Sequence, residues 1–124
     1  MQVSLAQIVQ WLKAEVLCCD HALERRIVMC HGADLMSDVL AFSHPDTLLL
    51  TGLANPQVVR TVEVAGIYGV VFVRGKRPSE VVVALAEEYD LPLMVTPYSM
   101  FDACGLLFAK GLRGWSLCGD QEGS

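Results

Sequence analysis

The sequence predicts a single α/β domain, in two or three layers, with a mainly parallel sheet assembled from strand–turn–helix units. Three observations lead there. Uninterrupted apolar runs (TLLLT, GVVFV, LPLMV) suit strands covered on both faces. Each run is followed by a turn containing glycine or proline and then by a helical pattern, the rhythm of parallel strands joined by helical crossovers. The 124-residue chain is also long enough for one core and too short for two comfortable ones. We take residues 1–118 as that domain and residues 119–124 as a flexible C-terminal tail.

In chain order, Ser4 precedes LAQIVQWL, whose Leu5, Ile8, Val9 and Leu12 recur at helical spacing, so Ser4 sits where an N-cap belongs. Glu15, Val16 and Leu17 suit a short strand, and residues 18–26 a polar loop or hairpin. RIVMCHG reads as one strand entering a glycine turn. ADLMSDVLAF places Leu35, Val39 and Phe42 on one side of a short helix. His44, Pro45 and Asp46 form a turn, since a residue before proline avoids the helical region. TLLLT is a strand, Asn55 an N-cap and Pro56 a first helical residue, where its missing N–H costs nothing. QVVRTVEVA follows, with Gly66 at its C-terminal stop. The unit repeats as GVVFVRGKRP and SEVVVALAEEYD, with Pro78 in the place of Pro56, and again as LPLMVTP and SMFDACGLLFAKG. Tyr98 and Phe101 are expected in the core or a dimer contact, and Trp115 and Leu117 against a partner subunit.

Composition narrows the function. With nine Lys and Arg against fourteen Asp and Glu, the net charge of −5 argues against nucleic acid, whose phosphates require a basic face. The chain is 53% hydrophobic and its mean hydropathy is +0.43, yet no window reaches the roughly 18 apolar residues of a membrane span. Surplus apolar surface on a small chain is most simply buried against a copy of itself, so a homodimer is expected. MQVSLAQIVQ lacks the basic start of a secretory signal. Cys18, Cys19, Cys30, Cys104 and Cys118 follow neither a disulfide framework nor a zinc pattern. Reduced thiols in a cytoplasm is the economical reading, with no cofactor.

Against that acidic background, Arg74, Lys76 and Arg77 crowd one strand-to-helix turn in VVFVRGKRPSEVVVALAEE. If the strands are parallel, their carboxyl ends share one edge, where ligands of such sheets bind. Thr51, Gly52, Arg74, Gly75 and Thr96 fall on that edge, each leading into a helix N-terminus that favours anions. Arginine's planar fork suits phosphate or carboxylate. The candidate ligand-binding set is therefore Arg74, Gly75, Lys76 and Arg77 with Thr51, Gly52 and Thr96, the threonines as hydroxyl donors. The competing account is a solvated loop whose cations pair with Glu80, Glu87 or Glu88. Neither nucleotide-loop fingerprint is present.

Weaker constellations point elsewhere. Asp34 and Asp38, four apart on one helix face, with His31 suggest a divalent-cation site, but a solvated helix face is the simpler account. Cys30 and His31 adjoin, yet neighbours on a strand point to opposite faces, which makes a poor nucleophilic pair. No catalytic residue and no metal ligand is assigned.

Residues 34–112, and GVVFVRGKRPSEVVVALAEEYDLPLMVTPYSMFDACGLL above all, resemble the DRTGG domain family in their order of strand, glycine turn, helix, apolar strand with Thr-Pro, and final helix. Two departures stand out. Leu53, Ala54, Asn55 and Pro56 replace that family's Asp-Arg pair, and Val73, Arg74 and Gly75 replace its Thr-Gly-Gly, so only Gly75 is kept. The resemblance implies a fold similar to the N-terminal domain of HPr kinase/phosphorylase and a regulatory or assembly role, commonly dimeric, without catalysis. Family members occur fused to CBS pairs or phosphotransacetylase, and stand-alone copies resemble companions of iron hydrogenase and redox genes in anaerobic bacteria. The expectation is thus a non-catalytic, cytoplasmic, homodimeric regulatory module that binds a phosphate-bearing, nucleotide-like or other anionic small molecule and docks on a partner enzyme. The alternative is an assembly subunit of a redox, hydrogenase-type system with no small-molecule ligand.

Overall fold

The structure is a computed structural model that describes residues 2–42 and 44–117, with Phe42 by its backbone alone. The C-terminal tail at residues 119–124, the Cys118 thiol and the side chain of Phe42 lie outside the described residues.

A five-stranded sheet forms the middle layer, in the order β2, β7, β6, β5, β4. Its parallel strands are β4 (Met29–Gly32), β5 (Thr47–Thr51), β6 (Gly69–Phe72) and β7 (Leu93–Val95). The edge strand β2 (Glu15–Cys18) runs antiparallel to β7, with an irregularity between Val16 and Cys18. A separate two-stranded ladder pairs β1 (Val3–Ser4) with β3 (Arg26–Ile27).

Helices cover both faces, which makes three layers. On one face α2 (Met36–Phe42), α3 (Pro56–Ala65) and α4 (Glu80–Glu88) pack Val39, Val58, Val62, Val82 and Ala86 against Leu49, Val70, Phe72 and Leu93. On the other, α1 (Leu5–Trp11) and α5 (Met100–Ala109) pack Leu5, Ile8, Ala103 and Leu107 against Leu48, Leu50, Val71 and Met94. Leu48 and Leu50 thus face one layer and Leu49 the other, the period of a strand buried on both sides.

Local chemistry explains most element ends. Ser4 and Gln7 form a reciprocal capping box, Gln7 N–H donating to Ser4 Oγ at 3.2 Å and Ser4 N–H to Gln7 Oε1 at 3.1 Å. Asn55 caps α3 ahead of Pro56, and Gly66 closes it in the left-handed region at φ 73. Ser99 caps α5.

Several expectations need correcting. RIVMCHG is two strands, not one: the ladder changes sheet at Val28, so Arg26 and Ile27 pair with β1 while residues 29–32 join β5. Leu35 does not line the core. It precedes α2 and is 60% exposed, and Met36 and Val39 take the buried positions. Pro78 is not the counterpart of Pro56, because α4 opens at Glu80 behind Ser79. Of the two places expected for Phe101, the core or a dimer contact, its 85% exposure excludes only the core. No described helix is long and apolar enough to cross a membrane.

Candidate functional site

The connections leaving β4, β5 and β6 run through α2, α3 and α4 on one face, whereas β7 leads to α5 on the other. Neighbouring strands whose crossovers diverge leave a crevice beyond their carboxyl ends, the usual ligand position in such sheets. Here that point falls between β6 and β7, at Val73–Gly75 on one side and Thr96–Pro97 on the other. The turn with the crowded cations is therefore at the place where the topology diverges.

The backbone of that turn is already employed. Arg74 and Gly75 both occupy the left-handed region, at φ 59 and φ 66. The Arg74 N–H donates to the Tyr98 carbonyl and the Gly75 N–H to the Thr96 carbonyl, both at 2.8 Å, while the Lys76 N–H donates to the Val73 carbonyl at 3.1 Å. Any anion held here must rely on side chains.

Those side chains separate. Arg77 turns towards β2 and grips Glu15 with both terminal nitrogens, each 2.9 Å from a carboxylate oxygen. The pairing lowers the Glu15 pKa and raises that of Arg77, through the hydrogen bond first and the charge second. Arg74 turns the other way, over the end of β5. A Cβ placed on Gly52 would stand 2.8 Å from Arg74 Nη2, so the absent side chain is what leaves room for the guanidinium. Among the described residues, no ion pair engages Arg74 or Lys76, and both are exposed.

The threonines are occupied. Thr51 is buried and donates to Asp34 Oδ1 at 2.9 Å, and the Gly52 N–H donates to the same oxygen at 2.8 Å. Thr96 is buried and donates to the Leu12 carbonyl at 2.6 Å. Both hydroxyls brace the edge rather than offering donors beyond it. Gly75, Arg77 and Thr96 nevertheless border a hollow of about 220 Å³ with Lys13, Glu15, Val95 and Pro97. The seven expected residues thus share one edge in two groups, with Thr51, Gly52 and Arg74 on one flank and Gly75, Arg77 and Thr96 on the other, while Lys76 projects from the turn.

Sequence reasoning missed Glu15, Lys13 and Asp34 as parts of this edge. Glu15 and Arg77 are 62 residues apart, and no local pattern signals their meeting. Asp34 was expected beside Asp38 on a helix face; instead it lies before α2 and ties down the end of β5. No group of three or more potential metal ligands is found among the described residues. His31, on β4, has its Nδ1 buried without a hydrogen-bond partner among the described residues, and burial pushes its pKa down while Asp38 opposes this. A larger hollow of about 590 Å³ opens at the opposite end of the strands, near Arg25, Asp46, Tyr68 and Tyr89. Arg25 there is committed, donating to the carbonyls of Tyr68 and Asp90 at 3.1 and 2.9 Å.

The sequence model of the DRTGG domain matches residues 7–108. The chain belongs to the DRTGG domain family. The match begins inside α1, so the DRTGG domain takes in α1 and β2 as well as the later units where the likeness is plainest. In fold, this DRTGG domain is similar to the crystal structure of the CBS and DRTGG domains of the regulatory region of Clostridium perfringens pyrophosphatase, complexed with its activator, diadenosine tetraphosphate. The TM-score is 0.70 at 18% identity, over 83% of this chain and 45% of that one. This DRTGG domain therefore spans under half the length of that structure. Among curated proteins no sequence match is found.

Proposed function

We propose that residues 1–118 act as a non-catalytic, homodimeric regulatory module of the cytoplasm that senses a phosphate-bearing, nucleotide-like anion at the carboxyl edge of its sheet. The observation that carries this reading is the Arg74 guanidinium over Gly52, which no ion pair engages among the described residues, beside the exposed Lys76, at the point where the crossovers diverge. In an acidic chain two exposed cations at such a position favour an anionic guest. The family membership supports a regulatory role, and the fold likeness to a regulatory region complexed with a dinucleoside polyphosphate suggests the ligand class to try first.

Three of the thiols, those of Cys18, Cys19 and Cys104, speak against nucleophilic chemistry. Burial raises the pKa of Cys18 and Cys104 and, with Cys18 as neighbour, pushes Cys19 up to about 12. Ligand binding would act by biasing the geometry of the dimer or its docking on a partner enzyme. The alternative, an assembly subunit of a redox system with no small-molecule ligand, draws support from the exposed apolar side chains of the helices, such as Leu40, Val64, Val81 and Phe101, which serve a second copy equally well.

Calorimetric titration with diadenosine tetraphosphate, ATP, AMP and inorganic phosphate tests the proposal. Saturable binding by at least one of them, abolished in the double variant Arg74→Gly/Lys76→Ala, is the expected result. No binding by any probe, or equal binding by the variant, rejects the site.

A further inference from the structure

The two edges of the five-stranded sheet are treated differently. Along β4 the chain covers its own edge: the Cys30 N–H donates to the Arg113 carbonyl at 3.1 Å, and Met29 forms a bridge with Arg113. Along β2, at the other end of the order, no described strand pairs on the outer side. An edge strand points alternate backbone N–H and C=O groups away from its neighbour, which makes it a template for one more strand. Exposure follows the same division. The inner strands β6 and β7 are buried throughout, whereas Glu15 is exposed and Val16 and Leu17 are only partly buried.

A hollow of about 560 Å³ opens beside this edge, between β2 and α4. Leu17 and Val83 supply its apolar lining, and both pack against the same core. Glu80 and Glu87 border it and, with Val83, recur at helical spacing, so the three share one face of α4. The cation of the hollow, Arg77, is already held by Glu15. Among the described residues no ion pair engages Glu80 or Glu87, and both are exposed.

We propose that β2 accepts an extended basic segment of a different protein as an added strand, whose side chains on the α4 side enter this hollow. The spacing sets the pattern. Glu80 and Glu87 are seven helical residues apart, about 10.5 Å along the axis. Positions i and i+4 of a strand face the same side about 13 Å apart, a difference that flexible lysine stems absorb. The matching segment is therefore Lys-x-apolar-x-Lys, with its lysines at Glu80 and Glu87 and its apolar residue on Leu17 and Val83. β2 itself is four residues long, roughly the same 13 Å, so backbone pairing and side-chain pattern cover one length. A second copy is the poorer occupant. Pairing β2 with β2 would bring two sets of these carboxylates together, and opposed like charges destabilise a strand pair.

The inference stands apart from the anion site, since neither Arg74 nor Lys76 borders this hollow. Fluorescence anisotropy of the full chain with a labelled, end-blocked peptide, Thr-Lys-Thr-Val-Thr-Lys-Thr, tests it. Saturable binding is expected, weakened about 10-fold or more in Glu80→Gln/Glu87→Lys, and likewise when glutamate replaces both lysines of the peptide. Circular dichroism and the urea midpoint of the variant should match the wild type, because both side chains are exposed. Two N-methylated peptides report the binding mode. Alternate amides of a strand point to opposite sides, so methylating the even residues or the odd inner residues should abolish binding in one case and spare it in the other. An equal effect of the two patterns, or binding indifferent to the charge changes, overturns the proposal. No binding, whether the edge stays empty or a second copy fills it, overturns it too. Arg74→Gly/Lys76→Ala should bind the peptide as the wild type does, which separates this result from that of the anion titrations.

Discussion

Arg74 and Arg77 leave one short turn in opposite directions, and the two flanks of that turn differ in kind. On the β2 flank Arg77 meets a carboxylate on a strand whose antiparallel entry no neighbouring residue announces, and both guanidinium nitrogens are taken. On the β5 flank Arg74 lies over a glycine with no ion pair among the described residues. A cluster of basic residues in a sequence therefore does not measure the positive charge available to a ligand. The fold assigns part of it to internal structure and leaves the rest.

Replacing each arginine separately is the sharpest way to break that contrast. Arg74→Gly suits the left-handed backbone at φ 59, so it removes the guanidinium without adding strain. It is expected to weaken binding of whichever nucleotide titrates by about 10- to 100-fold, the scale of a lost charge-assisted contact. Arg77→Ala is expected to change it less than about threefold, since exposed ion pairs that are already formed contribute little. Equal losses in both variants, read by calorimetry, would show that the flanks act together.

Next in size is Thr96→Val. The substitution keeps the shape but leaves the Leu12 carbonyl, now bonded at 2.6 Å, without its buried donor. A destabilisation of about 1–3 kcal/mol is expected in urea unfolding, with Thr96→Ser close to wild type. A neutral Thr96→Val would mean that the hydroxyl is not a brace and is free for a ligand after all.

The smallest effect concerns Glu15. Its folded pKa is depressed by Arg77, so its contribution to stability is present above the ordinary carboxylate value of about 4.3 and fades as pH falls through the lowered folded value. Both partners are exposed, which keeps that contribution small. In Glu15→Gln the urea midpoint should fall slightly less than in wild type as pH drops below about 4.3. Identical pH profiles would remove the ion pair from the account of this flank.

What was legible in the sequence was mostly local or strictly periodic. The Ser4 capping box, the Asn55–Pro56 start and the Gly66 stop each involve atoms a few residues apart, and the apolar runs announce strands covered on both faces. Those runs also fixed which turns share an edge, so Thr51, Gly52, Arg74, Gly75 and Thr96 were found together. Illegible were the features set by where the sheet changes partners. Val28 ends one ladder and precedes another within a continuous apolar stretch, and only the third dimension separates them. Leu35 fits the helical period but falls before α2, because Asp34 is drawn aside to hold Thr51 and Gly52. Phe101 fits a core position equally well by type, and only the placement of Ala103 and Leu107 turns it outward.

The hydrogen bond from the Arg74 N–H to the Tyr98 carbonyl has a mechanical consequence. Tyr98 is two residues ahead of α5, so the loop that presents the guanidinium and the helix that presents Phe101 are riveted at one joint. Pulling the arginine outward would lever the first turn of that helix, and a tilt there would reach any neighbour seated on it.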